Sequence, residues 1–210
     1  WARLLPTWNG KSTLSRNVLE NAFYSDASLE GLSAIYLPPG EDFALFFVGT
    51  WPEHVRHAHI QVLEAATEWA MLDTWGGEEK VRGRWVASRG DNQAVVSVIN
   101  AGRSRDPALN LVLRRLFEVM CREDVELFNR YIATKQNVIA DAGSRGKLTE
   151  LIALTATMHN RHAIQVAFDM AATVRVVEDA LRAKVNFDAA LERSRTPASR
   201  RRARRSRRRS

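Results

Sequence analysis

The chain has a single cysteine, Cys121, among its 210 residues. That excludes an internal disulfide framework and fits a reducing compartment. Cys121 lies in the helical-looking run LRRLFEVMCRE and reads as core filler rather than as a nucleophile. No stretch approaches the roughly 18 consecutive apolar residues that a membrane helix requires, and the longest apolar candidate, 43–49, is strand-sized. A basic start followed by an apolar run and a small-residue cleavage site is also missing, so a secretion signal has no support. These absences predict an intracellular protein, cytoplasmic or nuclear, with no membrane contact. The first residue is Trp1, not Met, which predicts a piece of a longer reading frame. The sequence carries no cysteine pair to complete a zinc site around His54, His57, His59, His159 or His162. Ser104 and Ser144 have no matching histidine and acid in sequence, so covalent serine catalysis has no support. Oligomeric state is not legible.

Acidic residues are absent from the last stretch of the chain, and this decides how its charge is read. The formal net charge is +7, from 31 basic and 24 acidic residues. Ten arginines and no acid lie from Arg193 onward; without them 21 basic residues face 24 acids, a net of −3. The body is therefore mildly acidic, and the basic character belongs to the tail. Eight of the ten residues from Arg200 to Arg209 are arginine, a composition that predicts disorder. Such a tail could bind phosphates in a salt-dependent way, act as a nuclear-entry signal, or lie beyond the true end of the coding element.

Patterning divides the rest. Residues 1–19 are a lead-in punctuated by Trp and Pro. Strand-like segments follow at 21–26, 32–37 and 43–48, broken by Gly31 and by Pro38-Pro39-Gly40, an antiparallel meander. A helix is predicted over 58–75, where Leu63, Ala66 and Ala70 recur at helical spacing before Gly76-Gly77. Next come a strand over 84–89 and a helix over 92–100. Asp106-Pro107 then opens a helix that runs to about Glu123. A fifth strand spans 125–132, and Asn137 caps a short helix through Arg145. The order β-β-β-α-β-α-α-β-α predicts an α/β layer structure with a five-stranded mixed sheet, three antiparallel strands and then two parallel. The organisation expected is a lead-in over 1–19, a main domain over 20–146, two further helices over 147–192 and a disordered tail over 193–210.

Four acids stand at the ends of these elements. Asp26 ends the first strand and Asp91 follows the fourth; Glu64 lies early in the long helix and Asp141 in the short late one. Neighbouring strand ends lie about 5 Å apart, so four carboxylates could converge from distant positions. Their repulsion would be costly without cations. Hard oxygen ligands suit Mg²⁺ or Mn²⁺, and two such ions about 3.5–4 Å apart can stabilise the attacking and leaving oxygens of a phosphodiester. Each acid also has a plainer reading: Asp91-Asn92 as a helix cap, Asp26 as the start of a turn, Asp141 as a partner of Arg145. Glu68 shares the face of Glu64 and is expected to be exposed. Trp69, Trp75 and Trp85 are expected in the core, whereas Trp8 is the tryptophan to watch for nucleic-acid contact.

The motifs carry a family resemblance. SDASLEG at 25–31, HIQVLEAA at 59–66, RGDNQAVVSVINAG at 89–102, SRDPALN at 104–110 and NVIADAGSR at 137–145 together resemble the ribonuclease H domain that follows reverse transcriptase in DIRS-like (tyrosine-recombinase) retrotransposons. LPTWNGKS at 5–12 is similar to the segment joining polymerase to nuclease there, and the resemblance covers about residues 1–146. It implies a ribonuclease H-like fold and an endonuclease cutting the RNA strand of RNA–DNA hybrids. It further implies an upstream reverse transcriptase domain and two Mg²⁺ ions, with Mn²⁺ possible. Asp26 would bridge both ions, Glu64 and Asp91 would hold the one near the leaving 3′ oxygen, and Asp141 the one that activates water. Ser28, Asn92 and Gln93 are candidate contacts to the 2′-hydroxyls that mark RNA. His59 matches a family position and is expected to pack or cap. The pattern departs from the family at Gly90, at Tyr131-Ile132-Ala133-Thr134 and at Gly143, the last a helix-weakening change. A second reading keeps the fold without the chemistry: a catalytically inactive nucleic-acid-binding or scaffold domain from a decayed element.

Overall fold

The computed structural model describes residues 18–195. Most of the lead-in, Trp8 included, and the arginine-rich run from 196 lie outside the described residues. The elements are β1 (Val18–Ala27), β2 (Gly31–Tyr36), β3 (Phe43–Thr50), α1 (Ile60–Trp75), β4 (Trp85–Gly90), α2 (Gln93–Ala101), α3 (Pro107–Glu123), β5 (Glu126–Tyr131), α4 (Val138–Ser144), α5 (Leu148–His159), β6 (His162–Gln165) and α6 (Met170–Arg195).

Local chemistry accounts for the boundaries. Asn92 caps α2 by accepting from the Ala94 and Val95 amides, and Gly102 closes it in the left-handed conformation. Asp106 caps α3 on the Ala108 amide, with Pro107 in the first turn. His59 caps α1 by accepting from the Gln61 amide, the capping role expected of it. Asn137 stands at the start of α4 but does not cap it. Its amide instead donates to the Ser25 carbonyl at 3.1 Å, a tie to β1 that replaces the expected cap.

The strands form one sheet in the order β5-β4-β1-β2-β3-β6. β1, β2 and β3 are antiparallel neighbours, and β4 and β5 run parallel to β1. This is the mixed α/β sheet expected, with one correction: it has six strands, not five. β6 pairs in parallel with β3, Phe43 opposite His162 and Phe46 opposite Gln165. The stretch after 146 is therefore not two helices alone. After the left-handed turn at Asn160, four residues extend along the open edge of β3, whose backbone groups would otherwise lack partners.

Alternation along the strands sorts the side chains into two cores. Phe23, Ala34 and Phe47 face α1, α3 and α6; Tyr24, Ile35 and Phe46 face α4 and α5. Val174, Val177 and Ala180 of α6 belong to the first core. Trp69 and Trp75 are buried, but Trp85, at the start of β4 with its ring edge-on to Phe128, is 37% exposed rather than in the core. No helix among the described residues is long and apolar enough to cross a membrane.

Candidate functional site

The two parallel central strands β1 and β4 end on the same side of the sheet, and a cleft opens there. Asp26 sits next to last in β1, and Asp91 directly follows β4. Glu64 comes from the second turn of α1, and Asp141 from the middle of α4. All four are half-buried and line one cleft of about 540 Å³ with Asn92, Gln93, Tyr131, Thr134 and Arg145.

α4 is held to the sheet by unusually close contacts. A Cβ on Gly143 would lie 2.2 Å from Ser33 Oγ and 2.6 Å from Ser33 Cβ, so only glycine lets the helix press this near β2. Gly143, expected to weaken the helix, is what allows it to dock. The Ser28 hydroxyl donates to the Ser144 carbonyl at 2.9 Å and accepts from the Gly31 amide at 3.0 Å. Gly31 is needed there as well, since a Cβ would meet the Ser144 and Gly49 carbonyl oxygens at 2.6 and 2.7 Å. The Ser28 hydroxyl is thus engaged in the β1–β2 turn, and Ser28 does not line the cleft. The segment after β5 forms a defined turn: the Gln136 side chain accepts from the Ala133 amide at 3.3 Å.

Electrostatics follow from four acids drawn together in a partly dry place. Burial, then repulsion from Asp91 and Asp141, raises the Asp26 pKa to about 7, against the lowering effect of the Ser144 hydroxyl and Arg145. Burial raises Glu64 to about 8, helped by Asp26, Asp91 and Glu68 and opposed by a hydrogen bond from Asn92. Asp26 accepts a short hydrogen bond from Ser144 Oγ, and Asp141 accepts from Arg145 Nε at 2.8 Å. The Asp141–Arg145 pair considered from spacing alone is therefore formed. Asn92 spends its carbonyl oxygen on the α2 cap; Gln93 is exposed at the rim.

Among the described residues, no three His, Cys, Asp or Glu side chains stand together closely enough to grip a metal ion as they are. The expected quartet shares a cleft but is not a preassembled cradle, and Asp26 and Asp141 are each held by a local partner, Ser144 and Arg145. The donor set nonetheless fits hard divalent cations: every candidate ligand is a carboxylate oxygen.

Beneath the cleft lies a group that sequence reasoning misplaced. Glu68, one helical turn beyond Glu64, is 2% exposed rather than solvated. α1 lies between the sheet on one side and α3 and α6 on the other, so almost no face of it is free. Glu68 Oε1 accepts from Ser25 Oγ at 2.8 Å, Ser88 Oγ at 2.9 Å and Asn129 Nδ2 at 2.9 Å. The signal was present: a lone acid inside the apolar run AATEWAML. Ser144, set aside as a nucleophile, matters as the donor to Asp26. Four of the five histidines have local partners: besides His59 at the α1 cap, His54 pairs with Glu178 at 2.9 Å, and His159 and His162 pack on Tyr24 and Phe43.

No protein-family model and no curated protein matches the chain. Among solved structures, ribonuclease H1 from the halophilic archaeon Halobacterium salinarum NRC-1 is similar, at 18% identity and a TM-score of 0.49, over 61% of this chain and 96% of that one. LC11 ribonuclease H1, isolated from compost by a metagenomic approach, is similar at 15% identity and a TM-score of 0.42, over 60% of this chain and 96% of that one.

Proposed function

We propose that the chain is a metal-dependent endonuclease of the ribonuclease H type, cutting the RNA strand of RNA–DNA hybrids within a retroelement reverse transcriptase polyprotein. One observation carries the reading: Asp26, Glu64, Asp91 and Asp141, from four elements spread over more than half of the chain, line a single open cleft at the ends of the central strands. The ordered motifs over residues 1–146 and their resemblance to DIRS-like elements support the substrate and the upstream polymerase.

The four carboxylates would hold two Mg²⁺ ions, or Mn²⁺, whose chemistry is to stabilise negative charge on the attacking and leaving oxygens. The chain's own residues supply the rest. Ser144 orients the Asp26 carboxylate, and Arg145 holds Asp141 until a stronger partner competes for it. Asn92 fixes the entry of α2 and steadies Glu64 through its hydrogen bond. Gln93, exposed on the cleft rim, is the candidate best placed to meet a 2′-hydroxyl, with phosphate contacts setting position rather than sequence.

The test is a labelled hybrid incubated with Mg²⁺, with wild type beside Asp26→Asn. Cleavage by wild type alone supports the enzyme. The scaffold reading draws on the absence of a ready-made three-ligand group among the described residues; tight hybrid binding with no cleavage by either protein would establish it instead.

A further inference from the structure

Glu68 is the carboxylate beside the cleft that the four-acid reading leaves unused. It gathers its three donors from three adjacent strands, and their placement is specific. Ser25 on β1 directly precedes Asp26; Ser88 on β4, level with Asn129 on β5, stands three residues before Asp91. One buried oxygen thus ties together the strand ends that carry two of the four acids. The other oxygen, Oε2, is buried without a protein partner, as is Asn129 Oδ1. Glu68 and Asn129 both line a cavity of about 10 Å³ whose other walls include Asp26, Glu64 and Asp91. That volume suits about one water, and water is the donor both oxygens require.

A buried carboxylate is a costly way to join strands, since an apolar side chain of the same size would carry no desolvation penalty. We propose that Glu68 is a positioning residue: through Ser25 and Ser88 it sets where the Asp26 and Asp91 carboxylates stand relative to Glu64, and so how well the cleft takes a divalent cation. The inference rests on the metal-dependent reading of that cleft. Its competitor is a network that serves folding alone.

Mg²⁺ binding to the full chain, measured by calorimetry well below each variant's unfolding midpoint, separates the two. Glu68→Gln keeps an oxygen for the three donors and should bind Mg²⁺ within about threefold of wild type. Glu68→Leu keeps the bulk but offers no acceptor, and should weaken binding by about tenfold or more, as loss of the partner that orients a metal ligand does. Ser88→Ala cuts the β4 tie alone and should weaken binding by about threefold. Folded Glu68→Leu that binds Mg²⁺ like wild type overturns the proposal. If Glu68→Leu does not fold, Ser88→Ala decides: unchanged affinity there overturns it equally. Wild type that binds no Mg²⁺, with Asp26→Asn indistinguishable from it, removes the metal reading itself and this inference with it. That outcome differs from wild type binding and every Glu68-network variant binding as well.

Discussion

Replacing Glu68 with glutamine should change how stability depends on pH, and the size of the effect can be worked out. Burial raises the Glu68 pKa from 4.5 to about 7, even though three hydrogen bonds to Oε1 pull it down. The folded state therefore holds a proton that the unfolded chain gives up between those two values. A raised acid pKa means that stability is greatest below the unfolded pKa, falls as pH climbs through the window from 4.5 to about 7, and levels off above it. At about 1.4 kcal/mol per pH unit, a window of about 2.5 units corresponds to about 3 kcal/mol lost by wild type from this group between pH 4 and pH 8. Glutamine cannot ionise and keeps the acceptor, so the variant lacks this component of the slope. Urea unfolding at pH 5 and pH 8 in chelator, for wild type and Glu68→Gln, reads it directly. The variant should gain on wild type by a few kcal/mol on going to the higher pH, whatever their difference at the lower one. A wild-type-minus-variant difference that is flat with pH would refute the burial argument for Glu68.

Other outcomes follow from named contacts. Gly143→Ala should cost about 1–3 kcal/mol by overpacking, because the new Cβ falls on Ser33; thermal denaturation measures it, and Ser33→Gly in the same chain should recover part. Mg²⁺ should raise the melting temperature of wild type and leave Asp26→Asn nearly unmoved, since binding stabilises only the state that binds. In chelator at pH 8, Asp26→Asn should instead be the more stable of the two, because burial and its acidic neighbours disfavour the Asp26 charge. Ending the chain before α6 should abolish cooperative unfolding, as circular dichroism during a thermal ramp would show: Val174, Val176 and Val177 fill the main core, and each such side chain contributes about 1.5–3 kcal/mol.

Local signals were strong enough to be read directly. The meander, the long helix ended by Gly76, and the α3 start at Asp106-Pro107 rest on turn chemistry, caps and periodicity, which involve only neighbours in the chain. That Asp26 and Asp91 come near one another was legible for a related reason: each stands at or just past the end of a strand, and neighbouring parallel strands end on one side of a sheet. What sequence could not reveal depends on which faces are covered. Glu68 reads as an exposed neighbour of Glu64 until its face of α1 is seen to lie against β1, β4 and β5; then the same residue becomes a buried anchor for three strands. Gly143 reads as a weak point of a helix until Ser33 is found where its side chain would be. β6 reads as the tail of a helix until the unpaired edge of β3 offers it a partner. Short-range preferences decide what each segment becomes, whereas burial, close approach and the fate of each polar group depend on segments a hundred residues away, and only the assembled layers bring those together.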